Sequence, residues 1–351
     1  MSTMTASWVP GYHSAAEYHF CKEQAEAIAR TVAYRHRDFE RAVIWFSAGT
    51  HIDVRLSVAT PFQSRADSGL GSLHKLPLEL LYDVLFRLDM QSLFKFRQSS
   101  LRLRELITSL HEYQAVTTHG LNLVCALLRT RLADSVSLLD CYKALCTQTC
   151  ELCGKFAGFI SLLAWKRCCF RCLRMAPELQ VQSLAATQKQ FQLTKAEMGQ
   201  LKTFKTLPGI YSMRERTRRL RITVVCVHQA VPVVREDALA QWQPVALPPL
   251  NILNFMGAVA LPHHNAGSGK TEHGLSCAGC RLAFERRIIG YRGEQWFLEA
   301  LDRLYSQAEF LEHFRWCEQA QRLWISSAEG TAQPSELPVI ARLGGGHNMR
   351  E

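Results

Sequence analysis

Three Cys-x-x-Cys pairs constrain this chain more than any other feature, because paired thiolates at that gap turn onto one ion and dictate which distant segments must meet. Cys150 and Cys153 form the first pair, with Gly154 relieving the backbone just after it, and Cys169 and Cys172 repeat the gap after fifteen intervening residues, 154–168. That interval is close to the one found in four-cysteine zinc sites. An all-sulfur ligand set favours zinc over calcium or magnesium, which take oxygen. Cys150, Cys153, Cys169 and Cys172 are therefore expected to close a tetrahedral, structural zinc site. Two neighbours compete for places in it. Cys168 would replace Cys169 with a three-residue gap, and Cys146 would enter from a preceding helix; Cys169 is preferred because it reproduces the two-residue gap. The plain alternative is a set of buried free cysteines.

A second site is expected near the C-terminus. Cys277 and Cys280 form the third pair, and thirty-two residues separate them from His313, which Cys317 follows four positions on. Ser306 and Glu309 make a capping box that predicts a helix running to about residue 325, with Phe310, Leu311, Phe314, Leu323 and Trp324 at its apolar positions. On one continuous helix His313 and Cys317 would share a face, one turn apart. The expected ligands are Cys277, Cys280, His313 and Cys317, with His273 as an alternative fourth and an ordinary core or surface histidine as the alternative role of His313. His263 and His264 are set aside because their Gly- and Ser-rich surroundings read as a mobile loop. One or two structural zinc ions follow. Both sites read as fully liganded, leaving no open position for a catalytic water, and neither an activated cysteine nor a carboxylate pair stands out. No active site is expected.

Composition agrees with a globular, intracellular chain. With 351 residues and 48% hydrophobic content it can bury sizeable cores in two or three units. A secretory leader is not recognisable at the start, so the thirteen cysteines are expected as thiols and metal ligands before disulfides. The longest apolar runs, 156–165 and 246–261, are shorter than the ~18 residues a membrane span needs. Net charge is +10, and Arg214, Arg216, Arg218, Arg219 and Arg221 cluster in one stretch. That cluster reads as a solvated basic face or localisation signal before a nucleic-acid surface, since no pattern of stacking aromatics accompanies it. Gly267, Gly269, Lys270 and Thr271 imitate the end of a phosphate-binding loop, but the leading glycine is missing and no apolar strand abuts it, so the segment reads as a loop.

The stretch from Leu76 to Phe96 describes a small helical module. Pro77 suits a first helical turn and Glu79 the positive end of the helix dipole. Leu80, Leu81, Val84, Leu85 and Leu88 recur at helical spacing, Asp89 offers an N-cap for a second helix carrying Leu93, Phe94 and Phe96, and Ser99 or Ser100 can cap a third. Three short helices in about forty residues rarely supply a sufficient core alone, so something else should cover the apolar stripe. The plain alternative is an amphipathic core helix.

This segment, over roughly residues 73–112, resembles an F-box: a Leu-Pro-x-Glu-Leu opening, a Leu-rich first helix, a Leu-Asp turn, and a second helix with Leu and Phe. It departs from the pattern near its end, where a Val-Cys-x-x-Trp element is common and this chain reads Ser99, Ser100, Leu101, Arg102 and Leu103. The resemblance implies docking onto a Skp-type adaptor, and through it a cullin, by Leu76, Pro77, Leu80, Leu81, Leu85, Leu88, Leu93 and Phe96. The spacing of the first two cysteine pairs, the 194–213 stretch and the ending from Phe310 to Cys317 extend a resemblance to fungal F-box proteins with cysteine-rich bodies over about residues 71–326. It implies a non-catalytic substrate-receptor subunit of a ubiquitin ligase with an unknown protein target, in the cytoplasm or nucleus, with no membrane partner. A RING domain is excluded by the 104 residues, 173–276, between the second and third pairs. The alternative is a zinc-ribbon protein binding nucleic acid through its arginines; an adaptor-bound protein acting outside ubiquitination is a third reading.

The expected fold class is mainly α with a small β component: a three-helix F-box followed by a zinc-stapled α+β body. The expected divisions are a partly helical, unassigned extension over 1–70, with helix over 14–45 and a polar linker at 63–72; the F-box over 71–112; a helical region with the four-cysteine site over 113–205; a strand-and-loop region over 206–276, with a strand at 221–234; the C-terminal site and helix over 277–326, preceded by a helix at 294–305; and a disordered tail over 327–351.

Overall fold

Capping residues set where several of the short helices start. Asp89 accepts from Ser92 N and Ser100 from Leu103 N, while Ser137 with Asp140, Thr194 with Glu197 and Ser306 with Glu309 form complete capping boxes. The computed structural model describes residues 11–59, 73, 75–231, 251–288 and 300–346. These are mainly helical with several small antiparallel sheets, and they divide into two units, one of residues 39–271 and one combining 1–38 with 272–351.

The larger unit opens with helix Ala48–Ala59, which packs on His111–His119 and Leu121–Thr130. Helices Leu78–Arg87, Met90–Ser99 and Leu101–Ser109 follow in sequence. The first rests on helix Leu138–Cys146, and Met90 N donates to Val136 O at 2.8 Å, tying the second to the same neighbourhood. Beyond them, strand Phe159–Ser161 pairs with Lys166–Cys168 on one side and Ala258–Ala260 on the other. A second sheet sets Thr223–Cys226 between Val181–Ser183 and Thr203–Lys205. The strand expected at 221–234 is thus shorter: Val227–Ala230 turns helical, and residues 232–234 lie outside the described residues.

In the other unit, strand Ala33–Tyr34 pairs with Ser276–Cys277. Helices Gln24–Val32, Ala278–Glu285, Gln307–Phe314 and Glu318–Ser326 enclose a core that includes Ile28, Val32, Phe310, Phe314, Leu323 and Trp324.

Several expectations are corrected here. The first seventy residues are not one extension, because residues 11–38 belong with the C-terminal unit and 39–59 with the larger one. Helix over 14–45 is broken, with Ala33–Tyr34 extended by its pairing to Ser276–Cys277. The segment expected as a disordered tail contains helix Val339–Leu343, with Ala341 buried. Its Gly and Pro content reflects capping: Pro338 stands at the N-cap, and Gly344, at φ +71°, closes the C-terminal end while its carbonyl accepts from Arg37 N at 2.9 Å. Residues 347–351 and the 63–72 linker lie outside the described residues, as do 294–299 of the helix expected at 294–305. Tyr305 at its end is extended and exchanges backbone hydrogen bonds with Leu275.

Candidate metal centres and an exposed apolar helix face

The larger unit brings Cys150, Cys153, Cys169 and Cys172 together, with all four sulfurs within 4.8 Å of one another. The first pair sits on a tight turn in which Gly154 N donates to Cys150 O at 2.8 Å. Gly154 holds φ +72° with open space around its missing Cβ, so backbone conformation alone calls for glycine there. The second pair opens helix Phe170–Met175, where Cys169 is the N-cap and its sulfur accepts from Cys172 N at 3.4 Å. Strand Lys166–Cys168 delivers this cap, and Cys168, facing away into the core opposite Phe159, is fully buried with its thiol pKa pushed well up by desolvation. Cys169, not Cys168, belongs to the cluster, and Cys146 lies outside it.

Four sulfurs this close cannot all ionise without a countercharge. Hydrogen bonds from Cys169 and Cys172 hold the Cys150 thiol well below its ordinary pKa, and the same contacts push Cys169 up to about 12 and Cys172 upward too. A dication held by the four sulfurs would supply the missing charge. Zinc–sulfur bonds of about 2.3 Å at tetrahedral angles separate sulfurs by roughly 3.8 Å, and Cys153 and Cys169 stand 3.6 Å apart. None of the thirteen cysteines is joined in a disulfide.

Cys277, Cys280, His313 and Cys317 make a second cluster within the same 4.8 Å limit. Cys280 Sγ lies 3.2 Å from His313 Nε2, and Cys277 and Cys317 sulfurs are 3.8 Å apart. Cys277 caps helix Ala278–Glu285 and accepts from Cys280 N at 3.4 Å, repeating the arrangement at Cys169. The His313 ring stacks on Tyr305 at 4.8 Å, which fixes its plane. This donor set also suits zinc. Burial raises the Cys277 pKa, whereas hydrogen bonds from Cys277 and Cys317 lower that of Cys280.

The route to this cluster differs from the expected one. Helix Gln307–Phe314 ends before Cys317, because Arg315 and Trp316 give their carbonyls to Tyr18 N and Ser14 N at 3.0 Å instead of continuing the helical ladder. Cys317 is extended, bridges to His13, and starts the next helix. His313 and Cys317 therefore converge across a break, not along one face. Sequence reasoning also missed Tyr12, whose hydroxyl lies 3.2 Å from Cys280 Sγ and whose residue belongs to the same buried core. No local pattern near Tyr12 signals this, since the contact spans most of the chain.

Neither His273 nor the pair His263 and His264 enters the cluster. The latter two are buried in a strand, not a mobile loop, and His264 stacks on His119 at 4.7 Å.

The leucine stripe divides into two faces. Leu81, Leu85 and Leu93 have no exposed surface and pack within the chain, so they are core residues and not available contacts. This corrects the expectation that a foreign subunit must cover the whole stripe: helix Leu138–Cys146 covers part of it. On the other side Leu80 is 55% and Val84 43% exposed, one turn apart, beside exposed Leu76, Pro77 and Leu78. Leu88 and Phe96 are half-buried. Pro77 occupies the N-cap position, just before the first turn.

Residues 73–114 match the F-box domain family. No curated protein and no solved structure matches the chain. Among the described residues no helix is long and apolar enough to cross a membrane.

Proposed function

We propose that this chain is the substrate-receptor subunit of a Skp/cullin-type ubiquitin ligase, related to fungal F-box proteins with cysteine-rich bodies. The observation that carries it is the match of residues 73–114 to the F-box domain, on whose first helix Leu76, Leu78, Leu80 and Val84 remain exposed. Burying each such side chain against an adaptor contributes about 1.5–3 kcal/mol before the entropic cost of association. The docking face in this reading is Leu76, Pro77, Leu78, Leu80 and Val84, with Leu88 and Phe96 at its edge. Two structural zinc ions, one at each cysteine cluster, fix the segments that hold the target. Catalysis is positional: the receptor raises the effective concentration of a target lysine near a ubiquitin-charged enzyme held elsewhere, using no side chain of its own as nucleophile. Cytoplasm or nucleus is the setting this role requires.

Co-expression with a Skp-type adaptor tests the reading. Stoichiometric co-purification is expected, and the double substitution Leu80→Asp with Val84→Asp abolishes it while zinc content and circular dichroism stay unchanged. An adaptor that never co-purifies, or one indifferent to those substitutions, contradicts it. Cullin joining the complex separates a ligase subunit from an adaptor-bound protein acting elsewhere.

A zinc-ribbon protein binding nucleic acid is the second reading, favoured by the exposed strand Arg216–Arg218. Its signature is binding that weakens steeply with salt and on Arg218→Ala with Arg219→Ala.

A further inference from the structure

We propose that a groove in the larger unit, between residues 43–46 and the hairpin at 207–222, binds an acidic peptide segment anchored by a bulky apolar side chain. The inference rests on the receptor reading for its biological use, since it names the class of target, but the groove stands on its own geometry. Its volume is about 410 Å³, and Trp45, Phe46, Ile210, Arg129 and Arg221 are among the residues that line it. That volume falls within the ~300–1,000 Å³ range of ligand pockets.

The walls are built, not incidental. Asn122 clamps one of them, donating from Nδ2 to Ile44 O at 2.8 Å and accepting at Oδ1 from Phe46 N at 3.2 Å. Ile44 N donates to Ala258 O at 3.0 Å, which anchors the same wall to the sheet beneath. Opposite it, strands Gly209–Tyr211 and Arg216–Arg218 pair, Tyr211 donates to Leu207 O at 2.8 Å, and Ser212 N donates to Ala42 O at 2.8 Å, which joins the two walls. Into this frame Trp45 projects with 40% of its surface exposed and Ile210 with 58%. Large apolar surface left open on a fixed backbone marks an anchor site.

Charge selects the occupant. Between residues 209 and 222 stand five arginines and one acid, Glu215. Among the described residues none of the five is ion-paired to a carboxylate, and the three residues of Arg216–Arg218 are exposed. Arg129 lies over the Phe46 ring at 4.3 Å and Arg41 over Trp45 at 5.2 Å, so guanidinium groups also rim the aromatic wall. Guanidinium binds carboxylate in bidentate fashion, and a carboxylate-rich segment supplies the complementary field. Nucleic acid would satisfy the charges but not the apolar side chains between them. Trp45 offers one stacking plane, but exposed Ile210 in the groove and exposed Met213, Leu220 and Ile222 among the arginines are aliphatic or thioether groups that offer a base none.

The test is selection of a displayed random-peptide library on the immobilised full chain. Enriched peptides are expected to combine Asp or Glu with a Phe, Leu, Ile or Trp. A synthetic peptide from that set is expected to bind at least tenfold more weakly to Ile210→Ser and to Arg221→Glu, a loss of about 1.4 kcal/mol each, with circular dichroism unchanged. No enrichment, enrichment without acids, or binding indifferent to both substitutions overturns the proposal. So does a single-stranded oligonucleotide that binds the groove more tightly than the peptide. Adaptor co-purification by the unsubstituted chain reports separately on the receptor reading: no adaptor bound while the peptide still binds sinks that reading and leaves the groove.

Discussion

Gly279 shows how little freedom the candidate C-terminal metal centre has. A Cβ there would fall 2.2 Å from Ala320 N and 2.6 Å from its Cα, so any side chain must drive helix Ala278–Glu285 away from Glu318–Ser326. Because Cys280 rides on the first of these helices and Cys317 starts the second, separation pulls the ligands apart. Gly279→Ala is expected to cost ~3 kcal/mol or more, and to lower bound zinc from two ions per chain to one, read by denaturant unfolding and metal analysis. Unchanged stability and metal content would contradict this packing. The first centre offers a cleaner contrast. Cys169→Ser is expected to lose one zinc, whereas Cys168→Ser keeps both and only lowers the thermal midpoint by placing a hydroxyl in the core. The reverse pattern in metal analysis would assign Cys168 as the ligand.

At the scale of elements, the first F-box helix has one face for the chain and one for a partner. Leu81→Asp is expected to disrupt folding, because its site has no exposure, while Leu80→Asp with Val84→Asp leaves the thermal midpoint within a few degrees. Equal midpoints for the two variants would show that the helix is not seated as described. Helical spacing made the stripe legible in the sequence, and Asp89 and Ser100 signalled the caps that separate the helices. Which leucines face inward was not legible, because that depends on helix Leu138–Cys146, some sixty residues away in sequence. Likewise the cysteine gaps pointed to the residues that gather in both clusters, yet the break before Cys317 was hidden: the groups that end the helix, Ser14 N and Tyr18 N, come from the other end of the chain.

Another pair of elements carries a pH dependence. His119, on helix His111–His119, and His264, on strand His263–His264, stack and both approach Thr271 Oγ1 at 3.2 Å. Burial lowers both pKa values, and for His264 the neighbouring His119 lowers it further. The unfolded chain then binds protons more readily than the folded one, so this contribution to stability is full above the unfolded value of about 6.5 and is lost as pH falls from there through the lower folded values. Thermal midpoints should drop on acidification from pH ~7.5 to ~5.5, and less steeply in His119→Gln with His264→Gln. An equal slope in both proteins would remove the pair as its cause.

For the whole molecule, the two units follow one plan, in which a cysteine at a helix N-cap meets ligands brought from elsewhere in the chain. The smaller unit gathers its cluster from segments at 277–280 and 313–317, and an N-terminal segment adds Tyr12 beside it. The larger unit carries the F-box, the four-cysteine cluster and the arginine-rimmed groove. In this account the exposed face of helix Leu78–Arg87 is reserved for an adaptor and the groove for a target. Hydrogen–deuterium exchange of the full chain, with and without a purified Skp-type adaptor, tests that division most directly. New protection is expected at residues 76–99 and none at 207–222. Protection absent from 76–99, or concentrated on the hairpin, would contradict it.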